Sequence, residues 1–183
     1  MKLPAKSRGP VRLENVVIFL VLHLACVTAP FYFSWSGLIL CGVLFWIGSG
    51  LGITLGWHRM LTHGAFKTYR PVKLLLTLVG CINLQNGPIE WVGTHRLHHG
   101  HTDEQDDPHS PRHGFFWSHA RWVFYRTSPD PKRFARDLLR DRAIARIDRV
   151  FWLVPLLLAG AMFGGGWWVG GVELAISWLV WGV

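Results

Sequence analysis

The protein has 183 residues, of which 50% are hydrophobic and 16% charged, and its formal net charge is +8. The apolar content excludes an intrinsically disordered chain. Three cysteines without a CxxC pair exclude a disulfide-stapled secreted domain. No nucleic-acid-binding motif accompanies the basic residues, so no nucleic-acid partner is expected.

The basic residues leave two long stretches of the chain without a cation. Four of the 19 Lys and Arg lie in the first twelve residues, and the others lie between Arg59 and Arg149. Residues 13–58 and 150–183 contain none and are rich in large apolar side chains. Because about 20 consecutive apolar residues are enough for a helix to cross a bilayer core, the pattern predicts an all-α integral membrane protein.

The first cation-free stretch is long enough for two crossings of a membrane. We predict a membrane hairpin over residues 15–57, with helices at 16–33 and 37–55 that a short polar turn connects. The alternative is a pair of buried helices in a soluble protein. The length of the stretch without a cation disfavours that arrangement.

The second cation-free stretch predicts another membrane hairpin, over residues 150–183. Its helices are expected at 151–163 and 167–183, on either side of the glycines at 164–166. A helix of about 17 residues is only about 25 Å long, which is short for a crossing. We therefore expect the second hairpin to be incomplete.

The charge distribution also predicts the orientation, because lysine and arginine concentrate on the cytoplasmic side of membrane proteins. We expect one domain over residues 1–183, with a cytoplasmic arm at 1–14 and a helical cytoplasmic cap at 58–149. Within the cap, residues 131–150 have the pattern of an amphipathic helix. Such a helix either lies on the membrane surface or packs between parts of the protein.

Two histidine clusters in the cap predict a metal site. His58 and His63 follow the first hairpin, and they converge only if the helix end is bent or unwound. His95, His98 and His99 are spaced for one face of a helix. Imidazole is a favoured ligand of iron, zinc and copper, and five imidazoles exceed the needs of a single tetrahedral zinc site. The sequence contains no HExxH motif of a zinc protease.

The motifs around these histidines resemble those of the membrane-bound Δ9 fatty-acid desaturases, and within that superfamily those of bacterial acyl-lipid and acyl-CoA desaturases. The segments that carry the resemblance are GLGITLGWHRMLTHGAFKT (residues 50–68), NLQNGPIEWVGTHRLHHGHTDEQDDPHSP (83–111) and GFFWSH (114–119). The resemblance implies a non-haem di-iron centre that uses O2 and two electrons to place a cis double bond in a long acyl chain. It also implies a location in the bacterial cytoplasmic membrane.

The resemblance assigns roles to individual residues. The HxxxxH and HxxHH boxes would supply the iron ligands, which are His58, His63, His95, His98 and His99. The QN…EW element would line the acyl tunnel with Gln85, Asn86 and Trp91, although Trp91 could instead be an interfacial anchor. Asp106 and Asp107 would orient ligand imidazoles or be solvated loop acids. His119 matches the GFFWSH element but not an iron position, so we expect it near the ligands rather than among them.

The resemblance ends before the family's third HxxHH box, and no histidine follows His119. We therefore expect a C-terminally truncated chain that is inactive as it stands and binds iron weakly. The expected partners are membrane lipids, an acyl-lipid or acyl-CoA substrate, and a separate ferredoxin-like or cytochrome b5-like electron donor. A related membrane di-iron hydroxylase and a non-catalytic paralogue that binds metal or lipid are the alternatives.

Overall fold

The computed structural model describes residues 9–102, 104, 107–126 and 130–183, and over these residues the prediction of an all-helical protein is confirmed. The α-helices are α1 (Leu13–Thr28), α2 (Trp35–Phe45), α3 (Arg70–Gly80), α4 (Pro88–Gly100), α5 (Phe115–His119), α6 (Arg136–Arg140), α7 (Arg142–Val150) and α8 (Leu153–Gly182). A π-helical segment, Trp46–Thr62, continues α2 without interruption. Short 3₁₀ helices cover Ala29–Tyr32, Cys81–Asn83, Pro111–His113, Arg121–Phe124 and Pro131–Phe134.

Within the described part of the chain, three helical segments are long and apolar enough to cross a membrane, namely Leu13–Tyr32, Trp35–Thr62 and Leu153–Gly182. Every side chain of α1 is at least partly exposed in the structure, including Leu20, Leu24 and Val27. A surface of this kind is unfavourable in water and favourable in lipid. The polar turn predicted before the second segment is where Ser34 begins α2, because its hydroxyl accepts a hydrogen bond from the Gly37 amide at 3.0 Å.

The third apolar segment folds back on itself. The backbone leaves helical geometry at Gly170 and at Gly171, where φ is +77°. A Cβ built at Gly166 would be 2.7 Å from Ala175 Cα, so the arms on either side of the reversal are in close contact. The break predicted at residues 164–166 is therefore wrong. Glycines with helical angles simply continue a helix, whereas the positive φ of Gly171 is a conformation that glycine adopts far more easily than other residues.

The segment predicted as one amphipathic helix at 131–150 is divided into a 3₁₀ turn, α6 and α7. Asp141 causes the second division, because its carboxylate accepts hydrogen bonds from the amides of Ala143 and Ile144 and so begins a new helix. Leu138 and Ile144 are buried in the core. The apolar face therefore contacts the protein itself, which agrees with the packing alternative rather than with immersion in a membrane surface.

The core that supports the site lies where the π-helical segment meets α3. Trp57 is fully buried, and its indole N–H donates to the carbonyl of Thr77 at 2.9 Å. A Cβ at Gly52 would be only 2.6 Å from Gly80 Cα, so glycine at this position lets the two helices approach. Ile89 of α4 completes the buried cluster. The histidine that follows Trp57 is thus attached to a rigid part of the molecule.

The reversal in α8 makes opposite predictions for two exchanges of glycine for alanine. Gly171→Ala should destabilise the protein by about 1–3 kcal/mol, because the left-handed conformation is strained for any residue with a Cβ. Gly164→Ala should be neutral or stabilising by about 0.5–1 kcal/mol, because a Cβ there meets no described atom within 4 Å and alanine favours a helix. Thermal unfolding in detergent, followed by circular dichroism, measures both. If Gly164→Ala destabilised the protein more than Gly171→Ala, the chain reversal would have to lie at residues 164–166 instead.

Candidate metal centre

The π-helical segment brings His58 and His63 to the same side of one helix. In an α-helix, residues five apart point about 140° away from each other. Here the amide of His63 donates to the carbonyl of His58, an i→i−5 bond of 3.1 Å, and this wider turn reduces the angle. The Nε2 atoms of the two imidazoles are 3.2 Å apart. Gly64 follows with φ +59° and ends the helix.

The second histidine cluster lies on α4, which begins at Pro88 with a residue suited to a first helical turn. His95 and His99 are one turn apart, and their Nε2 atoms are separated by 3.0 Å. Ile89, Val92 and Leu97 of the same helix are buried, which fixes the helix against the core.

Four of the predicted ligands converge on one point. One ring nitrogen from each of His58, His63, His95 and His99 lies within 4.8 Å of the other three. The rings of His58 and His95 have their centroids 4.7 Å apart, as do those of His63 and His99. The four side chains come from two helices that are far apart in sequence, and we call them the four-imidazole group.

The four-imidazole group fits a transition-metal ion. Two imidazoles at right angles around an ion, each about 2.1 Å from it, have their nitrogens about 3.0 Å apart, which is close to both separations given above. Burial, and then the neighbouring imidazoles of His99 and His58, lower the pKa of His95 to about 3. His95 is therefore neutral at pH 7 and able to bind a metal without losing a proton.

His98 does not join the four-imidazole group. Its Nδ1 lies 2.9 Å from the Oδ1 atom of the buried Asp107, and its ring is 4.1 Å from the ring of His109. His98, Asp107 and His109 form a second set of close ligand atoms. Asp107 thus has the geometry expected of a carboxylate that orients a ligand imidazole, and the five predicted histidines divide into four plus one.

A cavity of about 220 Å³ adjoins both sets of ligands. Its walls include His95 and His109, and also Gln85, Asn86 and Trp91, which are the three residues that the sequence assigns to the acyl tunnel. The Trp91 ring stacks on the His95 ring at 4.8 Å, and its indole N–H donates to Gln85 Oε1 at 2.9 Å. The predicted tunnel residues and one predicted metal ligand therefore share one cavity.

The backbone that presents Gln85 and Asn86 to the cavity is strained. Leu84 and Asn86 both have left-handed conformations, with φ of +53° and +65°. This conformation costs about 1–2 kcal/mol for a residue with a Cβ, and asparagine tolerates it better than leucine. Strain of this kind concentrates at functional sites, and here it turns the loop between α3 and α4 toward the cavity.

The N-terminal part of the chain forms another wall of the cavity. Val11 pairs with Tyr125 in an isolated β-bridge, and the Arg12 amide donates to the Phe124 carbonyl at 2.8 Å. The Arg12 guanidinium forms a two-point ion pair with Glu90, and this hydrogen bond raises the pKa of Arg12. The ion pair joins the N-terminal segment to α4 one residue before Trp91.

Two predicted residues, Asp106 and His119, are not among the described members of either ligand set. Asp106 falls outside the described residues. His119 stacks on Phe115 with ring centroids 5.3 Å apart, and it belongs to neither ligand set of the described chain. The sequence analysis assigned no role to His109 or to Arg12. His109 lies within the 83–111 segment that carries the resemblance, but no local signal indicates that Arg12 meets Glu90.

Comparison with known proteins places these residues in a family context. Residues 29–183 match the family profile described as fatty acid desaturase. The chain is 37% identical to the sn-1 stearoyl-lipid 9-desaturase of Anabaena variabilis, over all of this chain and 66% of the relative. It is 40% identical to the sn-2 palmitoyl-lipid 9-desaturase of a Nostoc strain, over 90% of this chain and 60% of that protein.

A plant relative is similar over nearly the whole chain. The icosanoyl-CoA 5-desaturase of Limnanthes douglasii is 36% identical over 96% of this chain and 49% of its own length. The chain thus spans between about half and two-thirds of the length of these curated relatives.

The four-imidazole group predicts which histidines control metal affinity. His99→Ala should weaken Co²⁺ binding by about 100-fold or more, because it removes one of four converging nitrogens. His101→Ala should leave the affinity within about twofold of the parent, because His101 pairs with Glu104 and lies outside both ligand sets of the described residues. Titration of the detergent-solubilised protein, followed by the visible absorption of Co²⁺, measures both. Equal losses would show that the group is not the metal site.

Proposed function

Because the chain belongs to the fatty acid desaturase family, we propose that it desaturates a long acyl chain, at C9, at a non-haem di-iron centre with O2 as co-substrate. The observation that carries the proposal is the shared cavity, in which a group of converging imidazoles adjoins Trp91, Gln85 and Asn86. The two cyanobacterial relatives described above are named as lipid 9-desaturases. Their names support the C9 position and a lipid-linked acyl chain.

The metal positions follow from the two ligand sets. His58, His63, His95 and His99 would hold one iron, and His98 would contribute to the second. When bound, the iron pair supplies the oxidising power that removes two hydrogens from adjacent methylenes with O2 and two electrons. The chain's own contribution includes a neutral imidazole at His95, because burial lowers the pKa of this residue to about 3.

The cavity would hold the acyl chain at a fixed depth. Methylene groups are chemically alike, so only position selects the pair that reacts. Trp91 lies between two rings, in an edge contact with Trp57 at 5.8 Å and stacked on His95 at 4.8 Å. This rigid wall would fix the distance between the bound chain and the metal ligands, and Gln85 would hold the indole in place through its hydrogen bond.

Two residues of α4 favour a lipid-linked acyl chain over a CoA thioester. Thr94 lines the cavity and Gly93 precedes it on α4, and neither carries a charge that would bind a CoA phosphate. One of the relatives acts on a CoA ester by its name, so both carriers belong in an assay. Electrons would come from a separate ferredoxin-like or cytochrome b5-like protein.

The protein would lie in the membrane with its two histidine boxes on the cytoplasmic side, in a bacterium at the cytoplasmic membrane. The three long apolar helical segments support membrane insertion. The confinement of lysine and arginine to the N-terminal arm and to residues 59–149 supports the orientation.

The assay for the proposed function measures products in membranes that contain the protein. Deuterated stearoyl-lipid and stearoyl-CoA are supplied in separate arms with O2 and a reduced ferredoxin, and mass spectrometry locates any new double bond. We expect a cis double bond at C9 from the lipid arm, lost in a His95→Ala variant, whereas the expectation that the chain is inactive as it stands predicts no product from the parent. A hydroxylated product would instead establish the related hydroxylase. If protein with its metal bound forms neither the alkene nor the hydroxylated product, the result contradicts the proposal and favours a non-catalytic role.

Trp91 makes a separate prediction about the position of the double bond. Trp91→Ala should lower the rate by about 100-fold and spread the double bond over neighbouring positions, because the chain would no longer be held to within about 1 Å. Trp91→Phe retains an aromatic wall and should preserve the C9 position with a smaller loss of rate. Product analysis of both variants tests this. A single unchanged product from Trp91→Ala would assign the tryptophan to anchoring rather than to substrate position.

A further inference from the structure

Arg96 lies between the histidines of α4, one residue after His95, yet it contacts neither the metal ligands nor the cavity. An arginine side chain has five N–H donors in a planar fork. In this structure all five have acceptors, which are the carbonyls of Leu61, Thr62 and Phe134 and both carboxylate oxygens of Asp137. The side chain is therefore held in one conformation.

Two of these acceptors belong to the end of the helix that carries the first histidine pair. The carbonyls of Leu61 and Thr62 are 2.7 and 3.3 Å from Arg96 nitrogens. The last carbonyls of a helix have no partners within it, and a cation at this end is also favoured by the helix dipole. His63 follows Thr62 directly, so Arg96 binds the backbone immediately before a predicted metal ligand.

Asp137 holds the guanidinium from the other side. Its carboxylate accepts two hydrogen bonds, of 2.7 and 3.0 Å, in the two-point geometry that only arginine provides. The bond to Arg96 lowers the pKa of Asp137, so the carboxylate remains charged at neutral pH. Arg96 Nη1 also donates to the Phe134 carbonyl at 2.9 Å, which ties the segment before α6 to the same point.

We propose that Arg96 is a positioning residue that fixes the helix end bearing His58 and His63 against the helix bearing His95 and His99. The inference rests on the proposed metal centre and extends it to a residue that touches no metal. Among the described residues, Arg96 is the arginine of α4 that donates hydrogen bonds to the carbonyls of residues 61–62. Loss of the guanidinium would leave all four imidazoles present but would allow the two pairs to separate.

The test compares Co²⁺ binding by Arg96→Gln with binding by Arg70→Gln in the full chain. Arg70 forms a similar two-point ion pair with Asp141, but it lies on α3 and contacts neither histidine helix end. We expect Arg96→Gln to weaken Co²⁺ binding by about 10- to 100-fold, as for other residues that orient metal ligands. Arg70→Gln should bind Co²⁺ within about twofold of the parent. The visible spectrum of bound Co²⁺ should change shape only in Arg96→Gln.

Two milder variants keep the inference testable if Arg96→Gln does not fold. Asp137→Asn leaves the three main-chain hydrogen bonds possible and should weaken Co²⁺ binding less than Arg96→Gln. Arg96→Lys keeps the charge but not the fork and should not restore the parent spectrum. Hydrogen exchange without metal adds an independent measurement, in which the His63 amide should exchange faster in Arg96→Lys than in the parent.

The outcomes separate this inference from the proposed metal centre. A parent chain that does not bind Co²⁺ would contradict the metal centre itself. A parent that binds Co²⁺, with Arg96→Gln or Arg96→Lys unchanged in affinity, spectrum and His63 exchange, would overturn the positioning role alone. Equal losses in Arg96→Gln and Arg70→Gln would also overturn it, because they would show a general loss of stability.

Discussion

The convergence of the four imidazoles depends on the way in which the long apolar helix ends. A continuous α-helix through residue 63 would point His58 and His63 about 140° apart and leave half of the centre unformed. The i→i−5 bond between these two residues brings the imidazoles together, and Gly64 stops the helix directly afterward. Helices with such wide turns are rare and are frequently found at functional sites. The geometry of the last turns of this helix therefore determines whether His58 and His63 converge with His95 and His99.

The buried core transmits this local geometry to the cavity. Trp57 is fully buried where the π-helical segment packs on α3, and it contacts Trp91, which in turn stacks on His95. Aromatic rings are large and have few rotamers, so a chain of three of them holds distances that flexible side chains would not. The depth of the cavity relative to the imidazoles is thus set by packing between helices. The loop that supplies Gln85 is strained, because the residues on either side of Gln85 have positive φ.

Sequence spacing predicts the parts of the site that depend on one helix. His95 and His99 are one turn apart and meet as expected, and the polar turn at Ser34 lies where the composition changes. Sequence spacing does not predict which of two adjacent histidines on a helix faces a given metal position. His98 and His99 differ by about 100° around the axis, so both cannot point at one ion, and His98 turns toward Asp107 instead. Contacts such as that of Arg96 with the backbone at residues 61–62 depend on tertiary packing, which local sequence does not encode.

The two ligand sets differ in charge, and this difference bears on how a metal pair would act. The four-imidazole group contributes no negative charge, because imidazole binds a metal as a neutral ligand. An ion there would keep its full positive charge beside the cavity wall. His98 instead lies against the buried carboxylate of Asp107, which makes an imidazole a stronger donor and partly offsets the charge of any ion it holds. Two ions in these positions would therefore be inequivalent, with the ion in the four-imidazole group the more electron-poor of the two.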